Sequence, residues 1–161
     1  MSTYRGLRPD GSLVQAARVS NNEGLIVTAS PLQQVVYVDD EPHIRVLAET
    51  CLRRVGGLET TTFDSGVSFL AAAPGLTPQM VLLDVMMPEL DGPATLEKMR
   101  EMPHLADVPV VFVTAKTRAS ETERLKQLGV LQVIGKPFRP MTISQDLQEL
   151  WTRHHATRKV S

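Results

Sequence analysis

The sequence predicts an α/β domain with a doubly wound, five-stranded parallel sheet flanked by five helices. Three observations carry that expectation. From about residue 34, apolar runs of four or five residues alternate with segments of about eight to fourteen residues at helical spacing. The runs are continuous rather than alternating, as strands covered on both faces require. Between them lie short breaks rich in Gly and Pro, so each helix serves as the crossover between parallel strands.

Val35-Val36-Tyr37-Val38 is the first strand, and it runs into Asp39-Asp40. A helix follows from Pro42 to Val55, with proline at a permitted first-turn position. Ile44, Leu47, Cys51, Leu52 and Val55 share one face of it, which makes Cys51 a core residue rather than a reactive thiol. Gly56-Gly57 ends the helix, and Leu58 to Phe63 is a second, more exposed strand. A short helix spans Ser65 to Ala73 and closes at Pro74-Gly75. Met80 to Leu83 is the third strand. It stops at Asp84, after which Pro88 and Asp91-Gly92 turn the chain into a helix opened by Pro93 and ending at Arg100. Val110 to Val113 is the fourth strand, ending in Thr114, and a helix from Arg118 to Leu128 stops at Gly129. Gln132 to Ile134 is a weaker fifth strand before Gly135-Lys136-Pro137. The last helix, Thr142 to His155, carries Ile143, Leu147, Leu150 and Trp151 on one face.

Residues 1–32 show no sustained period and are expected to form an extension, either flexible or packed on a partner; the stretch GLIVTAS can add a strand to a sheet edge. The domain is expected over 33–156, with a short tail at 157–161. Hydrophobic residues make up 42% of the 161, charged residues 22%, and the formal net charge is -1. That balance lacks the basic excess of a nucleic-acid or anionic-membrane binder. No apolar run approaches the roughly 20 residues that cross a bilayer, and the N-terminus does not read as a signal peptide. One cysteine excludes an internal disulfide and fits a reducing compartment, so a cytoplasmic location is expected.

The chemistry is expected at one edge. Asp39-Asp40, Asp84, Thr114 and Lys136 stand just past four apolar strands, and parallel strands bring those ends together. Three carboxylates that close need cations, and Lys136 supplies one positive charge. The remainder calls for a hard divalent ion with oxygen ligands, most plausibly Mg²⁺. Metal, hydroxyl and ammonium together make a cradle for a phosphoryl group. Each residue alone also has a plainer reading, Asp39-Asp40 as a helix cap and Lys136 as a loop charge. The four in order are specific.

VVYVDDE, LLDVMMPELDG, FVTAK and GKPF resemble the signatures of the receiver domain of two-component response regulators, over about residues 34 to 155. The resemblance implies the strand order 2-1-3-4-5 of flavodoxin and the chemotaxis receiver. It implies Asp84 as phosphoacceptor, taking its phosphoryl group from a sensor histidine kinase or a histidine phosphotransfer protein. Asp40, Asp84 and the backbone carbonyl of Met86 would bind Mg²⁺, with Asp39 acting through water. Thr114 and Lys136 would each bind a phosphoryl oxygen, and the Lys136-Pro137 bond would be cis. Ala115 would leave room for the phosphoryl group, while Met86 and Lys116 would tune its hydrolysis. The family commonly carries an aromatic switch residue three positions before this lysine; here it is Val133, which implies an altered output. With so few residues outside the domain, a stand-alone receiver acting on a downstream protein is expected, with excision from a hybrid kinase as the other reading. Self-association into a homodimer stays open.

Other features read as structural. His43 sits at an exposed first-turn position. His154-His155 suits a helix C-terminus, and Met86-Met87 suits loop packing better than a soft-metal site. Two rival functions remain. A metal-dependent phosphatase with an Asp nucleophile would want a second acid where Met86 stands. A phosphate-independent pseudo-receiver draws support from Val133 alone. No Gly-rich turn follows the first strand, against a Rossmann nucleotide binder.

Overall fold

The computed structural model describes residues 4–7, 13–16 and 30–157. Strands β1 (Tyr4–Leu7) and β2 (Leu13–Ala16) form an antiparallel pair, with Tyr4 opposite Ala16 and Leu7 opposite Leu13. No regular element was expected there, because four-residue strands are too short to show a period. The overlooked signal is Pro9-Asp10-Gly11 between them, a turn composition. Residues 24–29 of the stretch expected to add a strand lie outside the described residues, as does the tail beyond Thr157.

The second sheet contains β3 (Gln34–Val38), β4 (Glu59–Phe63), β5 (Met80–Asp84), β6 (Val110–Thr114) and β7 (Gln132–Gly135). Their order is β4-β3-β5-β6-β7 and every pairing is parallel. Counted within the sheet this is 2-1-3-4-5, the expected topology. The crossovers contain α1 (Pro42–Thr50), α2 (Gly66–Ala72), α3 (Gly92–Arg100) and α4 (Ala119–Lys126), and α5 (Ile143–Thr157) follows the last strand. The chain divides into two compact units. Leu32–Leu150 holds the five-stranded sheet, and in the other Trp151 Nε1 donates to the Ser30 carbonyl at 2.7 Å.

Side chains alternate across the pleat, so each central strand feeds two cores. Val36, Val38, Val81, Leu83, Val110 and Phe112 form one buried cluster with Phe69 of α2 and Leu96 and Met99 of α3, and Leu125 of α4 leans on it. Tyr37, Leu82 and Val111 point the other way, toward the face where the turn after α1 meets α5. There Ser144 Oγ donates to the Cys51 carbonyl at 3.4 Å. All five residues of β5 and of β6 are buried, which is why both read as uninterrupted apolar runs.

The first helix departs from expectation. Past Thr50 it widens into a π-helical turn over Cys51–Val55, with the Gly56 N–H donating to the Cys51 carbonyl at 3.2 Å. The extra residue shifts the helical phase. Val55, expected on the buried face, is accordingly 49% exposed; before the wide turn, Ala48 rather than Leu47 is buried, Leu47 being 39% exposed.

Two caps set the loops that bear on the site. Ser65 Oγ accepts from the Ser68 N–H at 3.0 Å to start α2, and Asp91 Oδ1 accepts from the Ala94 N–H at 2.9 Å to start α3. Gly92 is fixed by close approach: its N–H donates to the Val85 carbonyl at 2.8 Å, and a Cβ there would stand 2.6 Å from the Asp84 carbonyl oxygen. The start of α3 is thus pressed onto the residue that ends β5.

Gly92→Ala is expected to destabilise the protein by about 2 kcal/mol in chemical denaturation, because backbone rather than a flexible side chain must give way. Gly75→Ala, with nothing within 4 Å of the new Cβ, is the control, expected within about 0.5 kcal/mol of the parent.

Candidate functional site

Parallel pairing puts Asp39, Asp84, Thr114 and Lys136 at the carboxyl edge of β3, β5, β6 and β7. Lys136 Nζ stands 2.8 Å from Asp39 Oδ2 and 3.2 Å from Asp84 Oδ2. Asp39 is fully buried, Asp84 is 4% exposed and Thr114 is 1% exposed. Asp40 is half-buried. One carboxylate oxygen from each of Asp39, Asp40 and Asp84 lies within 4.8 Å of the others.

The backbone defines each position. The Asp39 N–H donates to the Phe63 carbonyl at 3.1 Å, and its own carbonyl accepts from the Arg45 guanidinium at 2.7 Å. The Lys136 N–H donates to the Thr114 carbonyl at 2.8 Å, which ties the lysine to the hydroxyl-bearing strand end. The Lys116 N–H donates to Thr114 Oγ1 at 3.1 Å. That bond occupies an acceptor site on the hydroxyl and leaves its own hydrogen able to donate. Asp84 Oδ1 receives a long bond, 3.4 Å, from the Met86 N–H. The Lys136-Pro137 peptide bond is cis.

One ammonium faces two buried carboxylates, and this sets the electrostatics. Burial first, then the negative charge of Asp39, pushes the Asp84 carboxyl up to about 7, against the opposing pull of Lys136 and the Met86 N–H. Lys136 is held above its ordinary value: burial disfavours its charge, but its bonds to Asp39 and Asp84 and their charges outweigh that. The edge is therefore short of positive charge. Its free donors are carboxylate oxygens, the ligand set of a hard divalent cation, so the residues fit Mg²⁺.

The remaining expected residues are placed around this centre. Met86 is 58% exposed, while Met87 is buried in the core cluster, so the pair divides between solvent and packing. Ala115 and Lys116 are exposed and, with Thr117, Arg118 and Glu121, line an open cleft. Val133 lies apart from the acidic centre. It is half-buried, leans on the core cluster and pairs in register with Phe112. His43 is exposed in α1.

Tyr37 was passed over in the sequence. Its ring is fully buried, and its hydroxyl donates to Asp39 Oδ2 at 3.0 Å. The Glu41 N–H donates to the other oxygen, Oδ1, at 2.9 Å. The signal was present: two residues before Asp39 in a strand is the same face of the pleat, and Tyr37 is the one polar tip in that apolar run.

Residues 35–148 match the response regulator receiver domain, and the chain belongs to that family. It is 31% identical over 121 residues to a probable transcriptional regulator, ycf27, of Cyanophora paradoxa, covering 75% of this chain and 49% of that protein. It is 29% identical over 129 residues to response regulator Rre1 of Synechocystis, covering 80% and 55%. The chain spans about half the length of these curated relatives. Among solved structures, the chemotaxis regulator CheY4 of Vibrio cholerae superposes with a TM-score of 0.68 at 27% identity, over 74% of this chain and 98% of that one. The receiver domain of sensor histidine kinase PA1611 from Pseudomonas aeruginosa, solved with a magnesium ion in its active-site cleft, gives 0.66 at 25% identity, over 74% and 97%. Among the described residues, no helix is long and apolar enough to cross a membrane.

A folded carboxyl at about 7 against an ordinary 3.8 means that the folded state keeps a proton that the unfolded chain releases. Asp84 therefore costs the metal-free protein stability as pH rises between those values. In denaturation without divalent ions, Asp84→Asn is expected to be more stable than the parent by about 1–3 kcal/mol at pH 8. The gap should close as the pH falls to about 4.

Proposed function

We propose that this chain is a phosphorylation-dependent switch whose phosphoacceptor is Asp84, supplied by a sensor histidine kinase or a histidine phosphotransfer protein in the cytoplasm. The observation that carries the reading is the shared ammonium: Lys136 reaches the phosphoacceptor and Asp39 together, beside an acidic cluster. An Asp84 oxygen attacks phosphorus, forming an acyl phosphate as the phosphorus–nitrogen bond to histidine breaks and its electron pair returns to the imidazole. Asp40, Asp84 and the Met86 carbonyl would hold Mg²⁺, with Asp39 acting through water, and the ion would supply neutralisation of the phosphoryl oxygens. Lys136 turns to one of those oxygens, and the Thr114 hydroxyl donates to another.

Ala115 adds no side chain beyond Cβ where the phosphoryl group would sit. Met86 and Lys116 border the path of the water that later cleaves the acyl phosphate, and so set the lifetime of the signal. The chain signals or relays by protein–protein contact. With Val133 in place of an aromatic, the output does not run through a swinging ring at that position. Exposed Ala115 and Lys116 beside Thr114 are the nearest surface to carry it.

Incubated with a small phosphodonor such as acetyl phosphate and Mg²⁺, the parent should take up one phosphoryl group, seen as a shifted band on a phosphate-affinity gel. Chelation of Mg²⁺ and Asp84→Asn should each abolish the shift, and Lys136→Met should slow it by about tenfold or more. An unshifted parent, or sustained turnover of simple phosphate esters, would defeat the switch reading.

A further inference from the structure

Asp39 carries donors on both of its carboxylate oxygens. Its Oδ1 takes the Glu41 N–H at 2.9 Å, and its Oδ2 takes both Tyr37 Oη at 3.0 Å and Lys136 Nζ at 2.8 Å. Of these three, the lysine is the one the acceptor carboxylate also needs, at 3.2 Å. When Lys136 turns to a phosphoryl oxygen, Asp39 must remain a buried carboxylate without its nearest cation. The tyrosine hydroxyl is the remaining donor on that oxygen, and its ring is fully buried.

We infer that Tyr37 is a positioning residue of this site: its hydroxyl locks the Asp39 carboxylate, so that the metal's water shell meets a fixed anion even when Lys136 has turned to the phosphoryl group. The inference rests on the phosphoacceptor reading above. Without the hydroxyl, Asp39 depends more heavily on Lys136 and turns toward it, and the acidic cluster loses its preset geometry. Partners that orient a metal site's carboxylates from behind carry about tenfold or more in metal affinity.

The test is Tyr37→Phe, which keeps the buried ring and removes only the hydroxyl. Mg²⁺ binding, measured by titration calorimetry without phosphodonor, should weaken about tenfold. The Mg²⁺ concentration giving half-maximal phosphorylation by acetyl phosphate should rise in proportion, while the rate at saturating Mg²⁺ stays within about threefold. In an Asp39→Asn background, adding Tyr37→Phe should change Mg²⁺ affinity by less than about twofold, since the hydroxyl acts through Asp39. A Tyr37→Phe affinity equal to or tighter than the parent's, with the parent binding Mg²⁺ normally, overturns the inference and leaves the phosphoacceptor reading standing. A parent that binds no Mg²⁺ overturns both.

Discussion

The site turns on one ammonium shared by two buried carboxylates. Lys136 lies against Asp39 and Asp84 together, and neither acid has another full positive charge on its side-chain oxygens among the described residues. Such sharing requires three strand ends to be held within a few ångströms of one another. The parallel register supplies that, pairing Val38 with Leu83, Asp84 with Val113 and Thr114 with Gly135. The loops then hold the ends. Gly92 lets α3 press on the Asp84 backbone, Arg45 grips the Asp39 carbonyl, and the Lys136 N–H is tied to Thr114.

The arrangement is unbalanced by construction. Two buried acids and a third at the rim outnumber one lysine, and burial first, then the charge of Asp39, pushes the Asp84 carboxyl up to about 7. A buried pair that satisfied itself completely would be inert. One that lacks a positive charge invites a cation, and with it an anionic group for the cation to hold. Asp39 is the better-supplied acid, with donors on both oxygens, whereas Asp84 has only the shared lysine and a long bond from Met86.

Under the proposed switch, the coupling from this edge to the surface would differ from the usual family pattern. Val133 packs on the core beside Phe112, and it has no ring to move when Thr114 is engaged. Thr114 is instead linked through its backbone carbonyl to Lys136 and through its hydroxyl to Lys116, in the exposed turn that leads to α4. That turn also lines the open cleft ending at Glu121.

The five-stranded topology was legible because continuous apolar runs and Gly/Pro breaks are local, and Asp84, Asp39, Lys136 and Thr114 were legible because they interrupt those runs at one end. The pairing of β1 and β2 is not legible, since neither YRGL nor LVQA is a continuous apolar run. The phase of the first helix beyond Thr50 is not legible, because nothing in its residues announces the wide turn there, beside which Ser144 Oγ donates to the Cys51 carbonyl. Tyr37 was taken for part of an apolar strand, and only the folded chain shows its hydroxyl on Asp39. The sequence by itself determined which residue types stand at the strand ends, and therefore the kind of chemistry. Tertiary structure decided how one lysine is divided between two acids and which acid is the better held. Those depend on distances of about 3 Å between residues some fifty to a hundred positions apart, which no local pattern encodes.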